Sequence, residues 1–201
     1  LQSLEAYDSQ ADSFVTLSNT DCKFSYRDSI FRNSEKNRYV ITYVTLKLSK
    51  NLPQPPFYDS LQKYLDDHMI KLYTQENIRK AVIEIRKNKL PDPDILPNSG
   101  SFFKNSIVEE WQLNDLKNID PNIPLYDMGD GKYKVPSGWL IEHTGFKGQL
   151  ISGIRVYDKN ALVLVNESAR SYNDLATAKE EIIGKIRDKF RIQIQQEPLE
   201  I

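Results

Sequence analysis

Few residues of this chain have the type and spacing for chemistry. Two histidines, His68 and His143, and one cysteine, Cys22, are too few for a cysteine or histidine metal cluster, and one thiol forms no intrachain disulfide. His68 stands in Asp66-Asp67-His68, which reads as an exposed helical face. There is no nucleophile elbow and no Walker loop. Ser101 follows Gly100 in Gly100-Ser-Phe-Phe-Lys-Asn105. A serine hydroxyl is a weak acid. It gives up a proton only beside a developing carbanion, with neighbours that stabilise the alkoxide. Otherwise a serine after glycine is a turn or cap residue. Arg27-Asp28 reads either as a cation for a substrate carboxylate or as a local surface ion pair worth little. Lys89 closes the run Arg86-Lys-Asn-Lys89, which suits a phosphate or a solvated helix C-terminus.

The elements that must hold these residues follow from periodicity. Arg38–Leu48 is rich in β-branched and aromatic residues and reads as a strand. Asn51–Pro56, with three prolines, is a loop. Tyr58–Met69 reads as a helix. So does Gln75–Lys87, where Ile78, Ala81, Val82 and Ile85 recur at helical spacing and Thr74 is the N-cap. Lys89–Asp94 is proline-dense and extended, and a domain boundary is placed near residue 90. Leu125–Val135 reads as a hairpin around Gly129-Asp130-Gly131. Ser137 is expected to cap a short helix through His143, closed by Gly145. Ile151–Tyr157 and Ala161–Val165 read as strands around Asp158–Asn160. Tyr172–Phe190 is an amphipathic helix with Leu175, Ala178, Ile182 and Ile186 on one face, and Arg191–Gln195 a last strand. The expected class is α+β.

The 201 residues carry 27 basic and 28 acidic side chains, a net charge of -1. That balance gives no electrostatic reason for nucleic acid or an anionic membrane as partner. No apolar run reaches the roughly 18 residues of a bilayer span. Leu1-Gln2-Ser3-Leu4-Glu5 lacks the basic start and apolar run of a signal peptide. With one cysteine, a reducing, cytoplasmic setting is expected. All 8 glycines lie at or after position 100. Dinucleotide pyrophosphates are cradled by glycine turns at helix N-termini, because only glycine lets backbone N–H groups approach so closely. A dinucleotide cradle is therefore expected to lie largely outside this chain. The missing initiator methionine likewise suggests a fragment.

Five segments recur in one order: Tyr26-Arg-Asp-Ser-Ile-Phe31, Lys89-Leu-Pro-Asp-Pro93, Gly100-Ser-Phe-Phe-Lys-Asn105, Pro136-Ser-Gly-Trp-Leu-Ile141 and Ala161-Leu-Val-Leu-Val-Asn166. At this spacing the series resembles the UDP-N-acetylmuramate dehydrogenases (UDP-N-acetylenolpyruvoylglucosamine reductases), from about Ser18 to the C-terminus. The resemblance implies reduction of an enolpyruvyl ether on a UDP-sugar, with FAD and NADPH as cofactors, in peptidoglycan precursor synthesis. It implies a partial FAD-binding domain of PCMH type, followed by a compact α+β substrate-binding domain. Residues 1–90 would be the back half of the flavin domain, 91–190 the substrate domain, and 191–201 a strand returning to the flavin domain.

The resemblance also assigns roles. Ser101 is similar to the family's proton donor. Arg27 is similar to the arginine that polarises the substrate carboxylate beside the flavin, and so is also the cofactor-contacting residue. Lys89 and Asn105 resemble residues that hold the UDP-sugar, with Lys89 on the phosphates. Tyr58 resembles a tyrosine that closes over the diphosphate. The catalytic glutamate is Glu197 when counted from Phe190, and Glu200 when the tail is aligned on Glu-Pro. The count is preferred, since a one-residue slip turns a strand side chain to the other face. Ser106 departs from the family's proline and Tyr157 from its histidine. The alone-standing chain is expected to bind FAD weakly or not at all. The alternative reading is a non-catalytic UDP-sugar-binding module that keeps the substrate-domain fold.

Overall fold

The computed structural model describes residues 1–200. The chain divides into two compact units, Leu1–Leu52 and a second from Pro53 onward. The break falls in the proline-rich loop read from the sequence. It is a break in compactness, separate from the functional division expected near residue 90.

The first unit is an antiparallel sheet of β1 (Ser3–Asp8), β2 (Ser13–Ser18) and β3 (Tyr39–Thr45), in the order β2-β1-β3. β1 alternates, sending Leu4, Ala6 and Asp8 inward. Leu4 and Ala6 form a small core with Cys22. Asp8 is buried because Arg38 meets it with two guanidinium nitrogens at 2.9 and 2.6 Å. β3 is shorter than the 38–48 stretch read from the sequence. It forms one edge of the sheet, and Val40, Ile41, Tyr43 and Val44 are all exposed.

The second unit opens with a helical pair, α1 (Asp59–Asp67) and α2 (Gln75–Lys89). Leu61, Leu65 and Ala81 are buried between them. Thr74 caps α2 as expected, its hydroxyl accepting from the Asn77 N–H at 3.1 Å. The strands β4 (Asn98–Ser101), β5 (Phe103–Lys104) and β6 (Ser106–Glu109) follow, then α3 (Leu113–Ile119), β7 (Tyr126–Asp127), β8 (Lys132–Val135) and α4 (Ser137–His143). Next come β9 (Leu150–Ile151), β10 (Ile154–Val156), β11 (Val163–Asn166), α5 (Tyr172–Phe190) and β12 (Gln195–Gln196). Three antiparallel sheets result, ordered β4-β11-β10-β9, β6-β8-β7 and β12-β5. The class is α+β.

Helix α5 runs over the residues its periodicity predicts. Ala178, Ile182, Ile186 and Phe190, each four apart, are fully buried. Full burial of each large apolar side chain contributes roughly 1.5–3 kcal/mol. Ser171 and Asp174 form a reciprocal capping box at its start. Its end is Arg191, at φ 58°, the left-handed position that glycine usually fills. The expected strand over 191–195 is displaced: Ile192 and Ile194 are buried, but ladder pairing begins at Gln195. The short helix α4 is closed by Gly145 as expected, at φ +84°. Its N-cap is Pro136, not Ser137. Ser137 is fully buried and its hydroxyl donates to the Lys104 carbonyl at 2.8 Å.

Candidate functional site

The candidate site of the second unit is organised around residues 98–105. Asn98 begins it. Its Nδ2 donates to Leu96 O at 2.7 Å and Pro91 O at 3.4 Å, and its Oδ1 accepts from Gly100 N at 2.9 Å. One side chain thus ties the segment after Lys89 to the turn before Ser101. Gly100 sits at φ +75°, which a residue with a side chain adopts only under strain. Ser101 pairs with Val163 across β4 and β11 and is exposed.

The chain turns at Phe102, whose N–H donates to Leu162 O at 2.7 Å. Phe102 O accepts from the Glu197 N–H at 2.8 Å. Beyond the turn, β5 pairs with β12, Phe103 opposite Gln196 and Lys104 opposite Gln195. The tail residue Glu197 therefore lies against the residue next to Ser101, as two segments about a hundred residues apart in sequence come together. Glu200 is placed differently. Its carboxylate pairs with Lys179 on α5. The Lys179 ammonium, with the Tyr172 hydroxyl, holds that carboxyl below the usual range.

Asn105 has a structural task as well as a nominated one. Its Oδ1 accepts from Ser137 N at 3.2 Å and so satisfies one of the orphan N–H groups at the start of α4. Its Nδ2 makes no protein hydrogen bond among the described residues, leaving a donor for a ligand. Lys89 is the last residue of α2 and is exposed, following Arg86 and Lys87 in the final turn. Tyr58 is the N-cap residue of α1 and 57 % exposed. Its carbonyl receives Leu61 N and Gln62 N, so the backbone anchors the helix while the ring stays outside.

Arg27 belongs to the first unit. It lies at φ 56° between Ser25 and Asp28, whose backbones exchange hydrogen bonds at 3.1 and 3.3 Å. Its guanidinium stands over the Tyr26 ring, 5.3 Å from the centroid. The Asp28 carboxylate accepts from Ser29 N and Asn33 Nδ2.

A cavity of about 520 Å³ opens in the second unit, lined by Ser99, Phe102, Leu164, Asn166, Arg170 and Tyr172 among others. A cavity of this size with mixed apolar and polar lining suits a small-molecule site. Sequence reading missed the Tyr172–Lys179–Glu200 cluster, and the signal for it is slight. Lys179 and Glu200 are ordinary charges in sequence, joined only by the fold. Among the described residues no group of three or more His, Cys, Asp and Glu side chains could hold a metal ion. Among the described residues no helix is long and apolar enough to cross a membrane.

Comparison with known proteins sets this geometry in a family. Residues 92–201 match the model of the UDP-N-acetylenolpyruvoylglucosamine reductase C-terminal domain. The chain is 41 % identical over 199 residues to the UDP-N-acetylenolpyruvoylglucosamine reductase of Ralstonia nicotianae, covering 99 % of this chain and 58 % of that protein. It is 38 % identical over 199 residues to the Neisseria gonorrhoeae protein of the same name, covering 98 % and 58 %. The chain thus spans about 58 % of the length of these relatives. The fold is similar to the crystal structure of the Thermus caldophilus UDP-N-acetylenolpyruvylglucosamine reductase, with a TM-score of 0.54 and 17 % identity, over 98 % of this chain and 51 % of that one. By the match over more than half its residues, the chain belongs to the UDP-N-acetylenolpyruvoylglucosamine reductase family.

Proposed function

We propose that the full-length protein carrying this chain is a cytoplasmic, NADPH- and FAD-dependent reductase of the enolpyruvyl ether on UDP-N-acetylglucosamine, yielding UDP-N-acetylmuramate for peptidoglycan synthesis. The observation that carries the reading is the hydrogen bond from Glu197 N to Phe102 O. In a member of this family, it supports the reading by joining the backbone of the nominated glutamate to the residue after the nominated serine. On this reading residues 1–90 belong to the flavin domain, 91–190 to the substrate domain, and 191–201 return toward the flavin domain.

The residues of this chain do not by themselves fit an FAD dinucleotide. The first 99 contain no glycine for a pyrophosphate cradle, and Gly129, Gly131, Gly145 and Gly148 lie in the turns of the second unit. An FAD held mainly by residues outside this chain would supply the hydride chemistry. The share of this chain is charge and proton. Hydride addition to one alkene carbon leaves negative charge that delocalises into the substrate carboxylate, and the guanidinium of Arg27 offsets it. The Ser101 hydroxyl delivers the proton to the adjacent carbon. Glu197 assists that transfer. Lys89, the Asn105 amide and the Tyr58 hydroxyl hold the UDP-sugar, with Lys89 on the diphosphate.

In the full-length protein, Ser101→Ala should leave flavin reduction by NADPH unchanged and slow flavin reoxidation by substrate by about 10²- to 10⁴-fold. Stopped-flow absorbance separates the two half-reactions. Equal slowing of both would remove Ser101 from the proton-donor role.

A further inference from the structure

We propose that Lys179 is a positioning residue that, through Glu200, latches the C-terminal tail and so fixes Glu197 beside the Ser101 segment. The inference rests on the reading of Glu197 given above and adds to it residues in helix α5 and the tail.

Glu197 lies between two fixed points. Upstream, Ile192 and Ile194 are buried, and Gln195 and Gln196 pair with Lys104 and Phe103. This ladder is two residues long and ends in the single bond from Glu197 N to Phe102 O, which holds the backbone at Glu197 but not the path of the chain beyond it. Downstream, Leu199 is 61 % exposed and contributes little anchoring. Glu200 supplies the second point through its ion pair with Lys179. Within the span, Gln196 Nε2 donates to Pro198 O at 3.2 Å, a local closure that holds the turn around Glu197.

Lys179 differs from the surface lysines of the chain. Its side chain is 12 % exposed, whereas Lys63, Lys80 and Lys87 in their ion pairs are 67–76 % exposed. Burial alone would push its ammonium toward the neutral form. The bonds to Glu200 and Tyr172 outweigh that and raise its pKa. The Nζ also lies 3.5 Å from Tyr172 Oη and 5.7 Å from the centroid of that ring. Lys179 follows the buried Ala178 on a helix whose apolar face is locked in the core, so the latch is mounted on a rigid element. With the Lys179 end shielded and the Glu200 end 43 % exposed, water and salt compete less for this pair than for one exposed at both ends.

The test uses the full-length protein with FAD bound. Lys179→Met keeps the length of the side chain and removes the charge. It should slow flavin reoxidation by substrate about tenfold, since small misplacement of a proton-transfer group costs this much or more. Flavin reduction by NADPH should be unchanged. Hydrogen exchange at the Glu197 amide, followed by mass spectrometry of the C-terminal peptide, should accelerate. Lys179→Arg should restore the reoxidation rate to within about twofold. Glu200→Gln opens the same latch from its exposed end, and serves if the helix variant misfolds. Unchanged exchange and an unchanged reoxidation rate in both latch variants would overturn the inference. Faster exchange with an unchanged rate would also overturn it, because the position of Glu197 would not matter. The reading of Glu197 is judged apart. If Glu197→Gln leaves reoxidation unchanged, that reading fails and takes this inference with it. If Glu197→Gln is slow while the latch variants are not, only the latch fails.

Discussion

The Glu197 N–H and the Phe102 carbonyl meet at 2.8 Å, one residue past Ser101, while the Glu200 carboxylate pairs with Lys179 on helix α5. The two tail glutamates therefore have separate surroundings. Glu197→Gln in the full-length protein should slow flavin reoxidation by about 10²-fold or more. Glu200→Gln should cost about tenfold at most. Single-turnover kinetics of both variants checks the order, and the reverse order would return the catalytic assignment to Glu200.

Asp8 predicts the acid response of the first unit. The Arg38 guanidinium lowers its carboxyl pKa from 3.8 to about 2, helped by the Gln10 and Ala11 N–H groups and opposed by burial. A depressed folded-state value means that this carboxylate stabilises the fold above about pH 4 and ceases to as the pH falls toward 2. Urea unfolding between pH 2 and 6 should show this loss. Asp8→Asn should lower stability at pH 6 and flatten that part of the curve.

Gly153 allows no side chain. It sits at φ +82°, and a Cβ there would lie 2.5 Å from Ala169 N and 2.8 Å from the Ser168 carbonyl carbon, both backbone atoms. Gly153→Ala should therefore destabilise the second unit by about 3 kcal/mol, a fall in Tm of about 6–12 °C, measured by calorimetry.

Arg191 gives the opposite expectation. It occupies the left-handed position after α5, with its N–H on Arg187 O at 2.8 Å. Arg191→Gly keeps that bond and removes the Cβ strain. It should stabilise by about 0.5–1 kcal/mol, visible as a shift of the urea midpoint.

Periodic elements were legible because one face of each meets one core. Helix α5 repeats its apolar residues every four positions, and Thr74 caps α2 from within its own segment. β1 was not read as a strand, since its third inward residue is Asp8. A buried aspartate breaks the apolar alternation and is explained only by Arg38, 30 residues away. Ser137 was read as a cap from its residue type, yet a strand 33 residues earlier takes its hydroxyl. Arg27, Lys89, Ser101 and Asn105 are nominated from the resembling segments, whereas Tyr58 and Glu197 lie outside them. The bond between Glu197 and Phe102, and the tie from Lys179 to Glu200, are long-range pairings with no local signature.

The edge strand β3 has one more consequence. Tyr39–Thr45 reads Tyr-Val-Ile-Thr-Tyr-Val-Thr, with neither charge nor proline, and its outer ladder edge is unpaired among the described residues. Such a segment is a template for adding further strands, since nothing on it repels a second copy. For this chain handled alone, solubility will therefore be set by protein concentration rather than by folding stability. A single lysine in place of Val40 or Tyr43 acts on that solubility without touching the buried residues Leu4, Ala6 and Cys22.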